Sequence, residues 1–168
     1  MAGRVDIVGD LVLLADQDRS NWHRATLDRA NAVLASAMAR MQPGVYQLQA
    51  IIAAYHANAR TAADTDWATI AKLYRQLVAM TASPVAALNS AVAVAMADGS
   101  PAGLALLDGL SGLDDYYLFH AARAELQLRI GQPVAAAAEF RRAMELTANA
   151  PQRRHLERRL LACTTADS

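Results

Sequence analysis

The residue types able to do chemistry are scattered along this chain. Its four histidines are His23, His56, His120 and His155, and its one cysteine is Cys163. No two histidines lie three or four residues apart, so the spacing of a helical metal site is missing. No metal and no cofactor is expected. A single cysteine excludes an internal disulfide. The string Gly-x-Ser-x-Gly, which would place a serine nucleophile on a strained turn, is absent. Neither a phosphate-cradling loop nor a dinucleotide fingerprint occurs. Asp64-Thr65-Asp66 resembles a pair of catalytic acids, but it stands at a helix start, where carboxylates complement the helix dipole. Capping is the reading taken, and an enzyme is not expected.

Charge carries little further information. Sixteen basic residues balance 16 acidic ones, so the basic excess of a general nucleic-acid surface is missing. Direct DNA binding by this chain is not expected. Arg153, Arg154, Arg158 and Arg159 form a local basic stripe opposite Leu156, Leu160 and Leu161. The stripe reads as the solvated outer face of a terminal capping helix, which repeat stacks require. No segment approaches the roughly 18 apolar residues of a membrane span, and the start lacks the apolar stretch of a signal peptide. A cytoplasmic protein with no membrane contact is expected.

The elements that must position these residues are helices. Hydrophobic residues make up 54% of the chain, and 39 of its 168 residues are alanine, the best helix former. Residues 1–17 form a lead segment with the apolar run Ile7–Leu14. A first helix is expected from Asp18 or Ser20 through Leu27, Asn31, Leu34, Met38 and Met41, ended by Pro43-Gly44. A second runs from Val45 to Ala57 with Leu48, Ile51, Ile52 and Tyr55 on one face. A third, capped by Asp64 or Thr65, carries Trp67, Ile70, Leu73, Tyr74 and Leu77. Ser83-Pro84 and Gly99-Ser100-Pro101 open a fourth and a fifth, since proline is accepted in a first turn. The sixth is expected over 115–130, the seventh over 133–147 and the eighth over 151–163. No stretch alternates with period two, so no sheet is expected. The expected domain spans residues 18–163, with a short tail at 164–168.

The pattern repeats. Gly99-Ser100-Pro101-Ala102 returns as Gly131-Gln132-Pro133-Val134 after 32 residues. A tetratricopeptide repeat is a helix–turn–helix with a period of roughly 34 residues. Gly131, Ala136, Phe140 and Ala143, with Ala124 in the preceding helix, match its glycine, small and aromatic positions. The fold class is therefore all-α: a right-handed α-α superhelix of tetratricopeptide-like helix pairs, about eight helices. In such a stack the first helix of each pair lines a concave groove. Leu48-Gln49-Ala50 overlays Leu88-Asn89-Ser90, and His120–Glu125 overlays both more loosely. The groove residues expected are Gln49, Ala53 and His56, then Asn89, Ala93 and Met96, then Ala121, Glu125 and Leu128, with Tyr46 at one end. Gln49 and Asn89 offer neutral amides able to donate to and accept from a guest backbone. They could equally face water, and His56 could equally be a structural, hydrogen-bonded histidine.

Five strings, in order, resemble one family. They are Leu13-Leu14-Ala15-Asp16-Gln17-Asp18-Arg19-Ser20-Asn21-Trp22, Tyr46-Gln47-Leu48-Gln49-Ala50 with His56, Thr65-Asp66-Trp67, Ser83–Val94 and His120-Ala121-Ala122-Arg123-Ala124. The set is similar to the C-terminal extension of a group of extracytoplasmic-function (ECF) sigma factors. These bacterial transcription initiation factors carry tetratricopeptide-like repeats after their DNA-reading domains. The resemblance covers roughly residues 10–162. The chain departs from the family at Val45, where proline usually follows the glycine, and at Ser90, where arginine is frequent. Residues 1–168 themselves include no sigma-type DNA-reading helices. The expectation is a part of a longer sigma factor, or a stand-alone relative that does not itself initiate transcription. The resemblance implies regulation through protein contacts, with the sigma core domains, RNA polymerase or a separate regulator protein as partners. It also implies that Asp16, Arg19 and Trp22 lie at the junction to the sigma core. The alternative drawn from the residues is a stand-alone module that holds a peptide or small-molecule signal in the same groove.

Overall fold

A computed structural model describes residues 24–38, 44–59, 61 and 63–165. Among these residues the fold is all-helical, with no strand and eight helices. They are α1 (Arg24–Met38), α2 (Val45–Asn58), α3 (Trp67–Thr81), α4 (Pro84–Asp98), α5 (Ser100–Asp108), α6 (Tyr117–Arg129), α7 (Pro133–Glu145) and α8 (Ala150–Thr165). The expected lead segment, and with it Asp16, Arg19 and Trp22, lies outside the described residues.

Local chemistry sets the helix starts. The Ser83 side chain accepts from the Ala86 N–H at 3.3 Å, with Pro84 in the first turn of α4. Pro101 and Pro133 hold the same place in α5 and α7. Gly131 enters the α6–α7 turn at φ 74°, in the left-handed region that favours glycine. The cap of α3 is neither Asp64 nor Thr65 but Asp66, which accepts from the Thr69 N–H at 2.9 Å and the Thr69 hydroxyl at 2.7 Å. These bonds from Thr69, with a smaller contribution from Lys72, hold the Asp66 carboxyl below its ordinary value. Asp64 instead closes the preceding loop by accepting from Thr61 Oγ1 at 2.8 Å. At the other end, α8 continues through Thr165, into the stretch expected to be tail.

The helix pairs α2–α3, α4–α5 and α6–α7 stack in chain order as a helical-repeat superhelix, with α1 and α8 at the ends. Three successive cores hold the stack. Leu48 and Ile52 of α2 pack with Ile70 and Leu77 of α3 and with Ala86 and Ala93 of α4. Leu88 and Ala91 on the other side of α4 meet Leu107, Leu113 and Phe119. Ala124, Ala136, Phe140 and Ala143, all fully buried, join Leu156 and Cys163. The last group comprises the residues at tetratricopeptide consensus positions, now in one layer with α8. Burial raises the Cys163 thiol above its ordinary value, so it packs as a small apolar group.

Helix α3 ends on Ala82 at φ 48°, ψ 26°, and the Ala82 N–H donates to Val78 O at 2.8 Å. A left-handed conformation costs a residue with a Cβ roughly 1–2 kcal/mol. Glycine escapes that strain but loses more backbone entropy on folding. Ala82→Gly is therefore expected to stabilise the protein by about 0.5–1 kcal/mol. Urea denaturation checks it, and a loss of stability would contradict the capping role of this turn.

Candidate functional site

The stack leaves a hollow of about 360 Å³ between α2, α3 and α4. Gln49 and Ile52 supply one wall, Tyr74, Leu77 and Thr81 a second, and Ser83, Val85, Ala86 and Asn89 the third. Leu48 and Leu88 lie buried in the adjoining cores, which turns their exposed neighbours Gln49 and Asn89 toward the opening. Not one of the nine lining residues carries a charge.

The polar groups of this hollow divide into committed and available. Thr81 Oγ1 donates to Leu77 O at 2.7 Å, and Ser83 Oγ caps α4. Among the described residues the Gln49 and Asn89 amides have no hydrogen-bond partner, so both face the opening with donors and acceptors free. Burial raises the Tyr74 phenol above its ordinary value and keeps it a neutral donor. The arrangement fits a neutral polar guest with a small apolar side chain, such as extended backbone. It contains no nucleophile–base pair.

The other expected groove residues are distributed differently. Tyr46 is 84% exposed and outside the hollow. His56 packs edge-on against Trp67, with ring centroids 5.2 Å apart, and does not line the hollow. Ala93, expected in the groove, is 1% exposed in the first core. It lies four residues after Asn89, a rotation of about 40° past one full turn, and that rotation carries it under α2 and α3. Leu128 also leaves the groove and packs against the third core. Met96 is half-buried, and its thioether sulfur accepts from Arg129 Nη1 at 3.2 Å.

Ala121 and Glu125 line a second hollow, of about 290 Å³, on α6, α7 and α8. Its walls are Tyr117, Leu118, Ala121, Ala122, Phe140 and Leu156, with Glu125, Arg129, Gln152 and His155 as its polar members. Glu125 accepts from Arg159 Nε and Nη2, at 2.5 and 2.7 Å. Those bonds raise the guanidinium's proton affinity further, against the effect of burial. Arg159 thus ties α8 to α6, where a solvated outer face was expected. Arg153, at an exposed position, donates to the end of α7 at Met144 O, 2.9 Å away. Leu161, expected on the packed face, is 64% exposed.

His120 sits between Glu139 Oε2 at 2.6 Å and Asp114 O at 2.9 Å, and Arg123 pairs with Asp108 at 2.7 Å. These contacts link the α5–α6 turn to α6 and α7. Among the described residues no group of three or more histidine, cysteine or acidic side chains could hold a metal ion. Nor, among them, is any helix long and apolar enough to cross a membrane. Sequence reasoning missed Tyr74 and Thr81 because only the first helix of each pair was assigned to the groove, and it missed Val85, one turn before Asn89 on α4. The spacing of Tyr74, Leu77 and Thr81 already put them on one stripe of α3.

No family model matches this chain, and no solved structure matches it. It is 40% identical over 158 residues to an uncharacterized protein of Rhizobium meliloti (strain 1021). The match takes in 94% of this chain and 37% of the relative, so the chain spans little more than a third of that relative's length.

Proposed function

We propose that this chain is a regulatory protein-binding domain of an ECF-type sigma factor, which receives a polypeptide segment in the hollow between Gln49 and Asn89. One observation carries the binding half of this reading: an uncharged hollow with two amides and a phenol uncommitted, beside Ile52, Leu77 and Val85. Extended backbone presents alternating N–H and C=O groups, and an amide side chain meets either. The sigma half rests on the ordered family strings. The partners are the sigma core domains, RNA polymerase or a separate regulator protein. The length of the relative beyond the matched part leaves room for the other domains that the resemblance implies.

The test is equilibrium binding of the purified chain to purified sigma core domains and to RNA polymerase. Binding to at least one is expected. Gln49→Trp with Asn89→Trp, both at exposed positions, should fill the hollow and weaken binding by about 100-fold. The unfolding midpoint should hardly move, since surface changes stay within about 0.5 kcal/mol. Absence of binding to both overturns direct contact with the sigma core and RNA polymerase and leaves the sigma reading with a separate regulator protein alone.

A further inference from the structure

The hollow on α6, α7 and α8 differs from the first in both chemistry and charge. Its walls are apolar: Leu118, Ala121, Ala122, Phe140 and Leu156 surround a space of about 290 Å³. Its one anion, Glu125, is neutralised by the two bonds from Arg159. Its remaining cation is not neutralised in this way. Among the described residues no carboxylate pairs with Arg129, whose one hydrogen bond goes to the sulfur of Met96 at 3.2 Å. A thioether is a weak acceptor. The C-terminus of α6 attracts the guanidinium, but a helix end carries only about half a charge. An apolar space bordered by a cation in excess suits a ligand that is greasy at one end and anionic at the other.

We propose that this second hollow binds a small carboxylic acid with an apolar body, independently of what occupies the first hollow. The hydrocarbon lies against Tyr117, Leu118 and Ala121, and the carboxylate takes two parallel N–H bonds from Arg129, whose guanidinium fork matches it. The volume stands at the low end for ligand pockets and suits one aromatic ring with a short chain. A ligand there touches α6 and α8 together and stabilises the last layer of the stack relative to its unfolded form.

The test is a titration of the full chain with phenylbutyrate, its neutral amide and phenylbutylamine, followed by amide NMR. Phenylbutyrate is expected to bind with a dissociation constant on the order of 1 mM and to shift the signals of Ala121, Ala122 and Arg129. The neutral amide should bind about tenfold more weakly, and the amine should not bind. Arg129→Gln, at an exposed position, should abolish the preference for the acid over its amide, whereas Arg75→Gln on the distant α3 should leave it intact. Equal binding of acid and amine by the unaltered chain would overturn the proposal, as would an acid preference that survives Arg129→Gln. A capped peptide carrying adjacent phenylalanine and aspartate is the last arm. Binding of that peptide without binding of phenylbutyrate would overturn the assignment to a small acid.

Discussion

Replacing Phe140 by alanine should lower stability by about 4 kcal/mol and lower the thermal midpoint by roughly 8–16 °C. Phe140 is fully buried and is among the largest side chains enclosed in this way. Its neighbours make the loss severe. Ala124, Ala136 and Ala143 surround it, all fully buried, each with a single methyl fixed to a helix backbone. None of them can swing into the space a ring leaves, so only Leu156 and the partly buried Leu128, Met144 and Leu160 could encroach on the void and most of the cavity cost applies. The damage should also be local. In a stack where each layer touches only its neighbours, stability is roughly a sum over layers. Hydrogen exchange in Phe140→Ala should quicken most in α6, α7 and α8, and least in α2 and α3. Calorimetry and exchange together check this. A midpoint shift below about 3 °C, or acceleration spread evenly along the chain, would contradict the layered account.

Gly103→Ala should destabilise the protein by about 2 kcal/mol, although helix propensity alone favours alanine by about 1 kcal/mol. The sign is set by what a new methyl would meet. A Cβ on Gly103 would lie 2.4 Å from Ala95 Cβ, 2.9 Å from Ala91 O and 3.0 Å from Ala95 Cα. Two of these three atoms are backbone and the third is a Cβ, so no side chain can rotate away. Relief requires α4 and α5 to separate. Separation loosens the second core, where Ala91 and Ala95 meet Leu107. It also shifts the helix that carries Asn89. Urea denaturation measures the loss, and a variant as stable as the parent chain would show that the α4–α5 crossing is looser than these distances indicate.

What the sequence disclosed, and what it withheld, follows from the range of the interactions involved. Helix starts are local events. Ser83-Pro84, Gly99-Ser100-Pro101 and Gly131-Gln132-Pro133 were therefore legible, and α4, α5 and α7 begin at Pro84, Ser100 and Pro133. The repeat positions Ala124, Ala136, Phe140 and Ala143 were legible because close packing admits few residue types there. The sharing of one hollow by Gln49 and Asn89 could be read from the overlay of α2 on α4. Rotation was harder to read. A few tens of degrees separate exposed Asn89 from buried Ala93, and residue spacing in an alanine-rich helix does not show which face its neighbours cover. Long-range pairing could not be read at all. Nothing near Arg159 in sequence points to Glu125, 34 residues away, and an arginine stripe looks solvated until a carboxylate is found facing it. The choice of Asp66 over Asp64 as the α3 cap depended on a difference of two residues between equally good capping types.

A polypeptide guest in the hollow between α2, α3 and α4 would contact Gln49, Asn89 and Tyr74 at once. The most direct measurement is NMR of the side-chain amide signals of Gln49 and Asn89 as the partner protein is added. If backbone from the partner lies there, both NH2 pairs should shift together, with the Tyr74 ring signals, at the concentrations that produce the complex. A complex that forms while those signals stay unmoved, with its footprint elsewhere on the stack, would contradict the account.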